Sequence, residues 1–255
     1  CGTPWYGWMT KCGCALPPER EKAFARLIVQ EIASGNDTRE GLRQACQAAG
    51  MTADEEKQVF HGWGGVIGEL SLLGVICAQV QEKKAYRLCA PFAPMDAAEA
   101  ELTLARRYFT HYGPASLRDA AYFFRVPQMR VKAWLKQLDA REIRVDGRMY
   151  YATKDAPEGE MPHVRLLSGF DPMLLGYRKE DNPILLPEHL RGVFNLTGIV
   201  HPTVLADGRI VARWREKDGK VELMPFENIG VRTKKRIERE VEKWFEVKEI
   251  RWMEI

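Results

Sequence analysis

The sequence has no apolar run near the roughly 20 residues that a membrane-spanning helix needs. It also shows no charged leader followed by an apolar stretch and a small-residue cleavage site, so export is not indicated and a cytoplasmic setting is expected. Cysteine is sparse, six in 255 residues, and Cys46 and Cys77 sit inside apolar patterns, which fits reduced thiols rather than a disulfide framework. Cys12-Gly-Cys14 with Cys1 lacks a second ligand pair at zinc spacing. His163, His189 and His201 are likewise spread without ligand spacing, so no metal is expected. No Ser-His-Asp arrangement or Gly-rich phosphate loop stands out, and no small-molecule cofactor is expected. The chain opens on Cys1 rather than Met, from which the expectation is that a longer protein has been trimmed.

What is present is a chain of about two domains' length, 45% hydrophobic, with a net charge of only +3. Its most informative stretch runs from Gly113 to Tyr151. Ser116 with Asp119 three residues on is a capping box, and Pro114 just ahead is a chain stop. Val126-Pro127 ends that helix and suits the start of the next. In the next helix Val131, Trp134, Leu135 and Leu138 form one apolar stripe, with Gln128, Arg130, Lys132, Lys136 and Gln137 off it. Asp146-Gly147, between Ile143-Arg144-Val145 and Met149-Tyr150-Tyr151, is a type I′ hairpin signal. Helix, turn, basic helix and hairpin is the order of a winged helix, most often a nucleic-acid reader. Between Ala97 and Ala152 ten Lys or Arg face six acids, a net +4, so the remainder of the chain carries −1. A local basic patch on a nearly neutral chain is the footprint of a phosphate-contacting face. A solvated helix face is the bland alternative.

The same order of elements is read earlier. Phe24, Leu27, Ile28 and Ile32 mark a helix from Glu19 to Ala33, Thr38 starts a second, and Thr52 with Glu55 caps a long third reaching Leu73. Val75-Ile-Cys-Ala and Ala85-Tyr-Arg-Leu then form a hairpin. The third helix of this copy begins Asp54-Glu55-Glu56, which repels a phosphate backbone, so copy one is expected to scaffold and copy two to touch the polyanion. His61 with Gly62, Gly64 and Gly65 marks either a close approach of another element or a local break. After the linker 156–162 the period changes to strand. His201 to Ala206, Arg209 to Arg215 and Lys220 to Pro225 are strands joined at Asp207-Gly208 and Asp218-Gly219. Strict alternation puts Ile210, Ala212 and Trp214 on one face, with Arg209, Val211, Arg213 and Arg215 on the other. An amphipathic helix from Thr233 to Phe245, with Ile237, Val241, Trp244 and Phe245 inward, covers the sheet, and a strand from Val247 to Met253 closes it. The expected class is α+β: an extension (1–18), tandem winged-helix domains (19–92 and 93–155) and a C-terminal β-barrel-like module with a covering helix (156–255).

Leu166-Leu-Ser-Gly-Phe-Asp-Pro-Met-Leu-Leu-Gly-Tyr-Arg178, then Pro202-Thr-Val-Leu-Ala-Asp-Gly-Arg-Ile-Val-Ala-Arg-Trp214, with Arg107-Tyr-Phe-Thr-His-Tyr-Gly-Pro-Ala-Ser-Leu-Arg-Asp-Ala-Ala-Tyr122 before them, resemble the winged-helix DNA-binding-domain proteins that include the AlkZ-like DNA glycosylases. The resemblance implies tandem winged helices around a duplex-sized channel and, for the glycosylase members, excision of N7-alkylated purines and unhooking of interstrand crosslinks. There the chemistry belongs to a Gln-x-Gln or Gln-x-Asp motif ahead of the matched blocks, so it is expected upstream of this chain. Gln79-Val80-Gln81 has the letters but lies in the hairpin of copy one, and reads as coincidence. No catalytic residue is assigned. The candidate DNA contacts are Arg118, Gln128, Arg130, Lys132, Lys136, Arg144, Arg148 and Arg178. For Arg178 two readings stand, a phosphate contact oriented by Asp171 or an internal ion pair joining the β module to the winged helices. Double-stranded DNA is the expected partner of a monomer, as part of a repair glycosylase. The rivals are a non-enzymatic winged-helix transcription regulator reading a major groove, and a small-molecule or interaction protein in which the winged helices only scaffold.

Overall fold

The structure, a computed structural model, describes residues 16–62, 64–157 and 159–254; Cys1, Cys12 and Cys14 lie outside the described residues. No helix among those described is long and apolar enough to cross a membrane. The chain divides between Pro94 and Met95 into two compact units.

In the first unit, α1 (Pro18–Ala33), α2 (Arg39–Ala48), α3 (Ala53–Val59) and α4 (Gly65–Leu72) precede the hairpin β1 (Ile76–Ala78) and β2 (Tyr86–Leu88). Thr38 accepts from Gly41 N–H to start α2, and Thr52 and Glu55 form the expected capping box on α3. The expected single helix from Thr52 to Leu73 is in fact two. Gly65 has φ +68°, and a Cβ there would lie 2.1 Å from the Gln58 carbonyl oxygen, so the chain breaks where only glycine fits. Arg39 then donates to the freed carbonyl of Phe60. Four helices therefore precede this hairpin. Phe24, Ile28, Leu42, Val59 and Ile76 form the buried core.

The acids of α3 are all neutralised at home. Asp54 pairs with Lys57, Glu55 with Arg20, and Glu56 with Arg43. The Arg20 guanidinium holds the Glu55 carboxyl down at about 2, helped by the Thr52 N–H.

The second unit opens with α5 (Ala97–His111), capped by Asp96, then α6 (Leu117–Phe124), α7 (Gln128–Leu138) and the hairpin β3 (Arg141–Val145) and β4 (Arg148–Ala152). Asp146 and Gly147 turn that hairpin with φ of 48° and 74°, as a type I′ turn demands. Phe109, Val131, Trp134, Leu135 and Leu138 form its core.

A five-stranded sheet follows, ordered β5 (Val164–Leu167), β6 (Thr203–Ala206), β7 (Arg209–Lys217), β8 (Lys220–Pro225) and β9 (Glu249–Trp252). The short α8 (Pro172–Leu175) and α9 (Leu190–Val193) lie between β5 and β6, and α10 (Val231–Trp244) precedes β9. The barrel-like expectation is corrected here: β5 and β9 are the two edges of an open sheet, and β9 joins parallel to β8. Ile237 and Val241 of α10 are buried against the sheet as expected, but Trp244 is 66% exposed. It donates its indole N–H to Glu240 one turn back.

Strict alternation in β7 also fails. Val204 pairs with Ala212 but Leu205 with Ile210, which leaves Val211 as an extra, bulged residue. Ile210 therefore joins Leu205 in the core on one face, while Val211, Ala212 and Trp214 join the core under α10.

Candidate nucleic-acid interface

Seven of the eight candidate contacts are exposed, and the eighth, Arg178, is half-buried. Helix α7 carries four of them because its apolar stripe is turned inward, leaving Gln128, Arg130, Lys132 and Lys136 to solvent. A concavity of about 410 Å³ beside the start of α7 is lined by Arg118 of α6, Gln128, Arg148 and Tyr150 of β4, and Asp181. A second, of about 510 Å³, is lined by Lys132, Lys136, Asp139, Glu142 and Tyr151. Arg118, Gln128 and Arg148 thus share one concavity and Lys132 and Lys136 the other, while Arg130, Arg144 and Arg178 line neither.

Arg130 differs from its neighbours. Its guanidinium donates to Glu101 Oε2 through Nη2 at 2.7 Å and Nε at 3.0 Å, and the Trp134 indole N–H reaches the same oxygen at 3.3 Å. Arg118, Lys132, Lys136, Arg144 and Arg148 have no carboxylate within ion-pair distance among the described residues. These five unpaired cations on one helix and hairpin assembly are the charge an anion meets.

Arg178 and Asp171 do not meet, so Asp171 neither pairs with Arg178 nor orients it. Asp171 caps α8, accepting from Met173 N–H at 2.9 Å and Ser168 N–H at 3.3 Å. Arg178 pairs instead with Glu180 and Asp181. The segment is held to the helices by other groups. Asp119, 3% exposed, accepts the Ser116 N–H and hydroxyl on one oxygen and the Arg178 N–H on the other. Tyr108 donates to the Gly176 carbonyl at 2.7 Å and Tyr177 to the Tyr112 carbonyl at 2.8 Å. Burial pushes the Tyr177 hydroxyl up to about 12, aided by the Asp119 charge, and pushes Tyr108 up further still. A Cβ on Gly176 would fall 2.2 Å from the Tyr112 ring. In the sequence Asp119 is only a local cap; its second partner is 59 residues away, and no local signal shows it.

Gln79 is committed to the fold. Its amide donates to Asp37 Oδ2 at 2.8 Å and to the Tyr86 carbonyl at 2.9 Å, while Val80 and Gln81 stand exposed at the hairpin turn.

The family described as "DNA glycosylase AlkZ-like" matches residues 5–246 of this sequence, and the chain belongs to that family. Among curated proteins the chain is similar to the "Interstrand DNA cross-link repair glycosylase" of Streptomyces sahachiroi, 26% identical over 265 aligned positions, with 93% of this chain and 71% of the relative covered. Among solved structures it resembles Streptomyces sahachiroi DNA glycosylase AlkZ, with a TM-score of 0.72 and 24% identity across 99% of this chain and 74% of that one. The latter likeness establishes a shared fold. The resemblance drawn from the Arg107 to Tyr122, Leu166 to Arg178 and Pro202 to Trp214 blocks is thereby borne out, and the family match extends over nearly the whole length.

Proposed function

We propose that this chain grips duplex DNA as part of a glycosylase that excises alkylated bases and unhooks interstrand crosslinks. The observation that carries the reading is the set of five exposed, unpaired cations around α7 and the β3–β4 hairpin, in a chain of this family. On this reading α5, α6, α7 and the hairpin form a winged helix whose third helix and wing meet the phosphates. The first unit is a divergent copy, with an added helical break and the acids of α3 internally paired, that supports without touching the duplex. Residues 156–255 form the third part, joined to the winged helix through Asp119, Tyr108 and Tyr177.

The chemistry asked of such a protein is modest. An N7-alkylguanine already carries positive charge, so it leaves readily once water is held near the sugar by a polar side chain. A crosslinked base cannot be swung out of the duplex in the way most glycosylases require, and an open basic surface suits that substrate better than a closed pocket.

Two assays test this. In a gel assay with the whole glycosylase, crosslinked duplex should run as separate strands under denaturing conditions after incubation; crosslinks left intact under conditions where duplex is bound count against the enzymatic part. In a binding titration, affinity for plain duplex should fall steeply with added salt, because each neutralised phosphate releases counter-ions. Affinity that ignores salt counts against the phosphate-gripping face.

A further inference from the structure

The sheet of the second unit carries a cation without an anion. Arg213 of β7 is half-buried; its Nε is sealed from solvent with no hydrogen-bond partner, and its Nη2 reaches only the Met224 thioether sulfur at 3.9 Å. Among the described residues no carboxylate pairs with it, whereas Arg215, two places on in the same strand, holds Glu222. A thioether is a weak acceptor, and a guanidinium drawn partly out of water without a counter-charge is disfavoured.

The neighbours of Arg213 are polar and not acidic. Thr203 is its direct cross-strand partner in β6, is fully buried, and leaves its Oγ1 without a partner. His201, two residues before Thr203, is half-buried and close enough to feel the Arg213 charge: burial first, and then that charge, lower its proton affinity. Thr203 points to the same face as Leu205, away from α10, because alternate residues of a strand share a face. Arg213, opposite Thr203, shares that face.

We propose that Arg213 and His201, with Thr203 behind them, form a phosphate-binding point on the β module that takes a phosphodiester of the duplex backbone. It is carried by other elements than α7 and the β3–β4 hairpin, and it rests on the reading that this chain binds duplex. The guanidinium fork matches two phosphate oxygens, and an imidazole N–H offers a third donor. The bound phosphate supplies the missing counter-charge.

The test compares duplex affinity across a range of salt for the unaltered chain, Arg213→Gln, Arg213→Lys and Lys136→Glu. Arg213→Gln should lose about five- to tenfold in affinity and about one unit of salt slope. Arg213→Lys should keep the slope while losing part of the affinity, since the charge stays and the fork goes. The melting temperature of Arg213→Gln should match or exceed that of the unaltered chain, which an arginine serving only the fold would not allow. If Arg213→Gln binds with unaltered affinity and slope while Lys136→Glu is weakened, the β-module contact is wrong and the duplex reading stands. If the unaltered chain fails to bind duplex, the duplex reading falls. Should the variant not fold, the unaltered chain decides: the Arg213 Nε–H and His201 ring signals in its NMR spectrum should shift as duplex is added. No shift at saturation overturns the proposal.

Discussion

The Asp119 carboxylate accepts the backbone N–H of Arg178 at 3.0 Å, joining the first turn of α6 to a residue beyond α8. One buried acid therefore caps a helix and anchors the segment that leads into the sheet. Asp119→Ala removes three hydrogen bonds and strands buried donors, and should cost about 2–3 kcal/mol of stability. Asp119→Asn, which keeps one acceptor, should cost less. Thermal unfolding of the two variants checks the order, and equal small losses would show that the anchor is not needed.

Gly176→Ala should destabilise the same joint from the other side. The added methyl meets the Tyr112 ring, so the ring or α8 has to move, at a cost of about 1–3 kcal/mol. A melting temperature unchanged from that of the parent chain would mean that the ring gives way freely.

The cations of α7 should not be equivalent. Lys132→Glu with Lys136→Glu should weaken duplex binding by an order of magnitude or more and lower the salt slope by about one unit for each phosphate no longer neutralised. Arg130→Gln should do less, because Glu101 already holds that charge. Glu101→Gln should then tighten binding by releasing Arg130. A stronger effect from Arg130→Gln than from the lysine pair would reverse the assignment.

Gln79→Ala should lower stability by about 1 kcal/mol by removing the bonds to Asp37 and Tyr86, and leave crosslink unhooking per folded molecule unchanged. Gln81→Ala should change neither. Loss of unhooking in a folded Gln79→Ala or Gln81→Ala chain would make this Gln-x-Gln catalytic after all.

The first unit should weaken as pH rises through neutrality. Glu21 of α1 is raised to about 7, by burial first and then by its hydrogen bond and charge repulsion with Glu69 of α4. A carboxyl raised in the fold favours the protonated state, so its contribution is fully present below about 4.5 and is lost as pH climbs through about 7. Partial exposure screens the pair, which leaves an effect on the order of 1 kcal/mol. Glu21→Gln should flatten the melting profile over that range, and a slope identical to that of the parent chain would place the titration elsewhere.

Much of the second unit is legible in the sequence because its signals are local. Ser116 and Asp119, the Val131 to Leu138 stripe and Asp146-Gly147 each specify structure within a few residues, and each forms as expected. The first hairpin and the turns of the sheet are equally plain. The break at Gly65 is one of the two readings the glycines allow, but the pairing of Arg130 with Glu101, 29 residues away, leaves no local signal, and the outward turn of Trp244 follows from its bond to Glu240, which the apolar stripe hides. Asp171 and Arg178 look like a pair because they share a block, yet each is claimed by nearer groups. In the sequence Arg213 is merely one of a row of strand arginines, since nothing in its own strand says that it lacks an acid.

At Val211 the count along the chain and the count across the sheet part company. A relative without that residue would show a one-residue gap in the middle of a core strand and still aim every later side chain of β7 the same way. Position-by-position comparison along β7 holds only if the gap is set at Val211; placed a few residues later, it would match Arg213 with the counterpart of Trp214 and hide which of them faces α10.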